Sequence, residues 1–213
     1  NGDGKLDDMI PGIGGLRVLL GNGNGTFVDR QMGIADVTTS NAVNLHPILV
    51  PYVTSSPKPV GGIGGLGGGI KAVDVNRDGK LDLVGVSVVG INFTNYSFVR
   101  VLINTGVNDA NGVPVFTTTH HWVQFLGVRP VTVGDLNGDN WPDLVVGTAG
   151  GLLQVWTSNG GTGAFTPGQV TNLIPIAGGP SAGPGVIVDV NGDGKADFVE
   201  ASGQAGATDI FFG

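Results

Sequence analysis

The chain has no cysteine among its 213 residues. That excludes disulfides, zinc-thiolate sites and cysteine nucleophiles, and leaves bound metal as the available means of cross-linking loops. Glutamate is almost as scarce, since Glu200 is the only one. A paired-carboxylate glycosidase needs two free acids flanking a cleft. Outside the motifs described below, the aspartates left over are Asp8, Asp29, Asp36, Asp109 and Asp209, with no shared pattern. Three histidines, His46, His120 and His121, share no motif that points to nucleophilic catalysis. The sequence therefore assigns no catalytic residue. Ten Lys plus Arg without a basic cluster argue against nucleic acid. No run approaches the ~20 apolar residues of a membrane span, and no helix-periodic apolar pattern extends beyond about two turns.

Glycine and proline are abundant instead: 40 and 12 residues. Such a level borders on disorder, but 40% hydrophobic content argues for a packed fold. Short runs of Val, Ile, Leu and Phe between glycine turns predict an all-β protein of many short strands.

One nine-residue pattern recurs. It reads Asp74-Val-Asn76-Arg-Asp78-Gly79-Lys-Leu-Asp82, then Asp135-Leu-Asn137-Gly-Asp139-Asn140-Trp-Pro-Asp143, then Asp189-Val-Asn191-Gly-Asp193-Gly194-Lys-Ala-Asp197. The chain opens on Asn1-Gly-Asp3-Gly-Lys-Leu-Asp7, the same pattern without its first Asp. Oxygen side chains at positions one, three, five and nine suit a hard cation, and Ca²⁺ takes about six to eight oxygens at ~2.3–2.6 Å. Position six is glycine or, once, Asn140, the residues that best tolerate a left-handed backbone. Eleven of the seventeen acidic residues lie in these four loops. Four Ca²⁺ ions would bring the net charge of −7 close to neutral, so the acidity reads as metal ligation.

The loops are 61 and then 54 residues apart, counted from Asp74 to Asp135 to Asp189. Each is followed by a predicted strand, such as Leu83–Val86 or Leu144–Val146, and a second one: 17–21, 100–104, 154–157 and 209–213. Three of these second strands lead into a Gly/Asn turn and a phenylalanine, Phe27, Phe116 or Phe165. The stretch from Phe27 to Asp74 is longer than its counterparts and holds an insertion. That insertion includes Pro47, Pro51, Pro57, Pro59 and the glycine run 61–69.

These loops, together with Val18-Leu-Leu-Gly-Asn-Gly-Asn-Gly-Thr-Phe27, resemble the FG-GAP/VCBS repeats, the calcium-binding blade family of integrin α-chain propellers. The likeness spans essentially the whole chain. The family's Phe-Gly occurs only at Phe212-Gly213, and its Gly-Ala-Pro is absent as written. The resemblance implies a β-propeller-type array of four-stranded blades with Ca²⁺ in the loops. It implies a backbone carbonyl ligand at position seven, which is Lys80, Trp141, Lys195 and Lys5. About three and a half blades are expected: 1–66 as a partial blade with the insertion, 67–128, 129–183, and 184–213 as a partial blade. Closed propellers have at least four, so the chain is expected to be a piece of a longer polypeptide or a protomer completed by self-association.

Other patterns carry less. Asp189 to Glu200 matches EF-hand spacing, but Gly85 and Val146 stand at that position in the other loops and offer no side-chain ligand. Gly62-Ile-Gly64-Gly-Leu-Gly67 matches a dinucleotide fingerprint but leads into a metal loop rather than a helix. His120 and His121, as neighbours in a strand, point to opposite faces. Trp156 is expected in the core. Trp141 is expected to be at least half exposed and, with Trp122, is a candidate for glycan stacking. Asn24, Asn92 and Asn95 head N-glycosylation sequons, the last two in a loop between strands. The expected role is a calcium-stabilised extracellular or cell-surface module for adhesion, glycan recognition or surface assembly, with a protein or carbohydrate partner. The alternative is a non-catalytic propeller portion of a secreted polysaccharide-degrading enzyme.

Overall fold

The computed structural model describes residues 1–12, 15–32, 70–91, 94–123, 131–147, 153–171, 185–201 and 208–213. The insertion, the glycine run, His46 and Asn92 lie outside them. Among the described residues there is no helix, so none is long and apolar enough to cross a membrane. Fourteen strands form four antiparallel sheets. Sheet I joins β1 (Asp8–Gly12), β2 (Gly15–Gly21) and β3 (Phe27–Met32). Sheet II joins β4 (Lys71–Val73), β5 (Asp82–Ile91), β6 (Thr94–Asn108) and β7 (Pro114–Val123). Sheet III joins β8 (Val131–Gly134), β9 (Asp143–Gly147), β10 (Leu153–Ser158) and β11 (Phe165–Thr171). Sheet IV joins β12 (Gly185–Val188), β13 (Asp197–Ala201) and β14 (Thr208–Phe211). Every sheet is a meander, each strand pairing with its sequence neighbours.

Alternation along the strands decides how the sheets stack, since successive residues face opposite sides. One face of β5 and β6 presents Leu83 and Leu102, which pack with Met9 of sheet I and with Ile70 and Phe116. The opposite face presents Val84, Val86, Val99 and Val101, which meet Leu144, Val146, Trp156 and Phe165 of sheet III. The other face of sheet III sets Val145 and Leu153 against Phe198, Ile187 and Phe211 of sheet IV. Consecutive sheets thus share apolar interfaces, and their first strands, β4, β8 and β12, lie beside one another. Trp156 is fully buried, as its place in a strand predicts. The far face of sheet IV differs, since Val186, Val188 and Ile210 are 57%, 45% and 46% exposed. On the far side of sheet I the row Asp8, Leu19, Asp29 is acidic at both ends, and both aspartates are exposed.

Candidate metal loops

Each loop enters the strand that its ninth residue opens: Asp82 begins β5, Asp143 β9 and Asp197 β13, while Asp7 directly precedes β1. The backbone makes two left-handed steps per loop. At position six these are Gly4, Gly79, Asn140 and Gly194, with φ of 78°, 84°, 70° and 87°. At position four they are Gly2, Arg77, Gly138 and Gly192, with φ of 81°, 57°, 78° and 78°. The second step was not anticipated from the sequence, because arginine occupies it once. Three glycines in four copies were the available signal.

The polar side chains turn inward onto their own loop. The position-one carboxylate accepts from the N–H of position six: Gly79 to Asp74 at 2.8 Å, Asn140 to Asp135 at 2.8 Å and Gly194 to Asp189 at 2.9 Å. The amide oxygen at position three accepts from the N–H of position five, as Asp139 to Asn137 at 2.8 Å and Asp193 to Asn191 at 2.8 Å. Its Nδ2 donates to the position-five carboxylate, at 3.3 Å for Asn76 to Asp78 and 2.9 Å for Asn137 to Asp139. The position-five carboxylate accepts from the N–H of position seven, at 2.9 Å for Lys80, 2.7 Å for Trp141 and 2.9 Å for Lys195. The partial loop repeats this: Asn1 Oδ1 accepts from the Asp3 N–H and Asp3 Oδ1 from the Lys5 N–H. In it, the chain's first amino group lies 2.7 Å from Asp7.

Position nine behaves differently. Asp82, Asp143 and Asp197 are fully buried. One oxygen accepts from the N–H of position two: Val75 at 3.0 Å, Leu136 at 3.0 Å and Val190 at 2.9 Å. The other accepts from an N–H at the far end of the hairpin: Asn104 at 2.8 Å, Ser158 at 2.9 Å and Gly213 at 3.0 Å. Asp7 makes the same long-range bond to the Gly21 N–H at 2.9 Å. Each ninth residue is thus a latch between its loop and the far end of the hairpin that it opens. Electrostatics follow local surroundings. Burial pushes the Asp82 carboxyl up, with Asp78 and Asp74 adding to it. The N–H of Gly213 leads in holding Asp197 down. Asp78 is held low first by the Lys80 ammonium, 2.9 Å away.

The side chain at position seven covers the turn after the second strand of its hairpin. A Cβ added at Gly23 would stand 3.5 Å from Lys5 Cδ, and one at Gly106 would stand 2.5 Å from Lys80 Cε. Trp141 fills this place in the third loop, against Gly160 and Gly161. Arg77 of the second loop lies over its indole, 5.3 Å from the ring centroid. Trp141 is accordingly less than half exposed, a correction to the expectation from its loop position. A sugar stacking on the ring has to compete with both neighbours. Trp122, His120 and His121 lie in β7.

Asn24 is exposed in the turn between β2 and β3, where its Oδ1 accepts from the Thr26 N–H and hydroxyl at 3.1 and 2.6 Å. Asn95 is not in a loop as expected but in β6, opposite Gly90, because the hairpin is longer than its counterparts. Glu200 lies in β13, so no EF-hand helix leaves the last loop.

Among the described residues, no group of three or more carboxylate or imidazole side chains is arranged to hold a metal ion as it stands. Loop N–H groups take the carboxylate oxygens instead. The donor set itself is all oxygen: three carboxylates, an amide and a backbone carbonyl per complete loop, which fits Ca²⁺ chemically. Carboxylate oxygens retain a lone pair after one N–H bond. The chain's own residues supply the other requirement, a loop already wrapped around its polar side chains before any ion arrives.

No curated protein and no solved structure matches the chain significantly. A family model described as FG-GAP-like repeat matches twice, over residues 74–146 and 135–200. The two matches contain the three complete loops and the strands that carry them, and together they cover more than half of the sequence. By that coverage the chain belongs to the FG-GAP-like repeat family.

Proposed function

We propose that this chain is a calcium-stabilised, non-catalytic binding or structural module working outside the cell. The single observation that carries the reading is that one loop geometry, with inward-facing oxygens, is built three times in full and once in part on four stacked sheets. Repeats of this family are in general extracellular ligand-binding modules. Millimolar extracellular calcium suits modules with Kd of ~10⁻⁴–10⁻³ M. Ca²⁺ bound by Asp74, Asn76, Asp78 and Asp82, with the Lys80 carbonyl, and by their counterparts, supplies charge neutralisation and cross-links each loop. The chain's own part is to hold the loop ends together through the position-nine latch and to present the intervening turns to a protein or carbohydrate partner. In this reading the four sheets are blades of a propeller-type array, supported by the side-by-side first strands and the shared apolar interfaces.

Completion of the array, by a second copy or by further polypeptide, belongs to the same proposal. The exposed Val186, Val188 and Ile210 face of sheet IV supports it, because the equivalent faces of sheets II and III are covered by the next sheet. The deciding experiment is thermal melting with and without excess EGTA. A higher Tm in calcium is expected, together with three calcium ions bound per chain by calorimetry; a Tm unchanged by EGTA refutes the reading.

A further inference from the structure

Glu200, the chain's only glutamate, is 6% exposed, and its Oε2 has no hydrogen-bond partner. It follows Phe198 by two residues, so both side chains are on the face of sheet IV that packs against Val145 and Leu153 of sheet III. Directly across from it on β12 is Gly185, which has no side chain, and directly across on β14 is Asp209. Opposed residues of an antiparallel pair have Cβ atoms about 4.5–5.5 Å apart. The neighbouring hydroxyl, Thr132, already donates to the Gly185 carbonyl at 3.1 Å.

Among the described residues of sheets III and IV, nothing basic faces this pair. Strands β8, β10, β11 and β12 carry no titratable side chain; β9 and β13 add only Asp143 and Asp197, both latched at the loop end. From residue 131 to 213 the sequence has one basic residue, Lys195, whose ammonium donates to the Gly213 carbonyl at 3.2 Å. Two carboxylates so placed, with no cation among the described residues beside them, cannot both ionise cheaply. A neutral Glu200 has one O–H to donate, and Asp209 is the side chain opposite to receive it.

We infer that Glu200 and Asp209 share one proton across β13 and β14, forming a pH-sensitive clasp that holds β14 in sheet IV below neutrality and loosens it above. Burial, and then the charge of Asp209, push the Glu200 carboxyl from the ordinary 4.5 up to about 7. The folded state therefore binds this proton more tightly than the unfolded chain. The stabilisation is complete below pH ~4.5 and is lost as pH rises to about 7. Loss of the proton to hydroxide leaves two adjacent anions, and β14 gives way because β13 is held on both sides.

A single glutamate makes the test direct. In the full chain at saturating calcium, labelling the glutamate carboxyl with ¹³C gives one side-chain carboxyl resonance to follow by NMR. Its midpoint is expected near 7; a midpoint within a unit of 4.5 overturns the inference. Asp209→Asn should lower that midpoint, and an unmoved midpoint shows that no proton is shared. The folding equilibrium constant of the wild type should fall by about 300-fold between pH 4.5 and 8, tenfold for each pH unit separating the unfolded and folded midpoints. Glu200→Gln, which keeps the shape without the charge, should remove most of that fall. A variant that keeps the full fall refutes the clasp.

Discussion

Asp143 and Ser158, fifteen residues apart, are joined by a 2.9 Å hydrogen bond from the Ser158 N–H to Asp143 Oδ1. The other oxygen of the same carboxylate holds the Leu136 N–H at 3.0 Å. One buried side chain thus ties the start of its loop to the end of the hairpin that follows. This bond set separates two kinds of loop residue that look alike in the sequence.

Asp143→Ala should cost about 3–5 kcal/mol, because it strands two backbone N–H groups that had a charged acceptor. The loss should persist in EGTA, where only the latch is removed, and grow in calcium, because Asp143 is also a proposed ligand. Asp139→Ala, at exposed position five, should lower Tm in calcium and change it little in EGTA. Urea melts of both variants under both conditions check this; an Asp143→Ala variant as stable as the parent in EGTA would contradict the latch.

Calcium should shift resistance to acid as well as to heat. The carboxylates of Asp3 and Asp78 are held below their usual range, by the Lys5 N–H and by Lys80 respectively. Groups lowered on folding stabilise above their unfolded value and lose that contribution as pH falls through the folded one. Acid unfolding should therefore begin below about pH 4 in EGTA and lie lower still in excess calcium, as circular dichroism against pH would record.

Arg77 holds a left-handed backbone where the other loops have glycine, at a cost of about 1 kcal/mol. Its guanidinium recovers about 0.5–1 kcal/mol over Trp141. Arg77→Gly should consequently be near-neutral, whereas Arg77→Ala keeps the strain, loses the stacking and should destabilise by about 0.5–1 kcal/mol. Denaturant midpoints of the two variants, with Trp141→Ala closing a double-mutant cycle, would show whether the pair is coupled.

The exposed apolar face of sheet IV should drive self-association. Stacking it on the far side of sheet I would set Val186 and Ile210 against Asp8 and Asp29. A two-fold contact between two sheet IV faces covers both instead. Sedimentation at micromolar concentration in millimolar calcium should show a dimer, and Ile210→Glu should return it to monomer.

Most of the strand pattern was legible because its determinants are local. Short apolar runs, mostly of Val and Leu, after each loop mark β5, β9 and β13, and Gly/Asn turns mark their hairpins. The latch was not legible, since nothing in the spacing of Asp82 says that its partner is the Asn104 N–H. Nor was the opposition of Glu200 and Asp209, which depends on the register of β13 with β14. Asn95 was misplaced because β5 and β6 extend well past the length of the equivalent strands in sheet III. Trp141 was misjudged because its neighbours, Arg77 and the 160–161 turn, come from elsewhere in the chain.

Both oxygens of each ninth-position carboxylate are satisfied inside their own repeat. What a repeat takes from its neighbours is therefore mainly an apolar face of matching shape, with the Arg77–Trp141 stacking and the Thr132–Gly185 hydrogen bond as added ties. A gene segment encoding one such unit can be copied, dropped or moved without dismantling the loops of the units on either side. Asn140 and Arg77, where the other copies have glycine, are differences of the kind that such freedom tolerates.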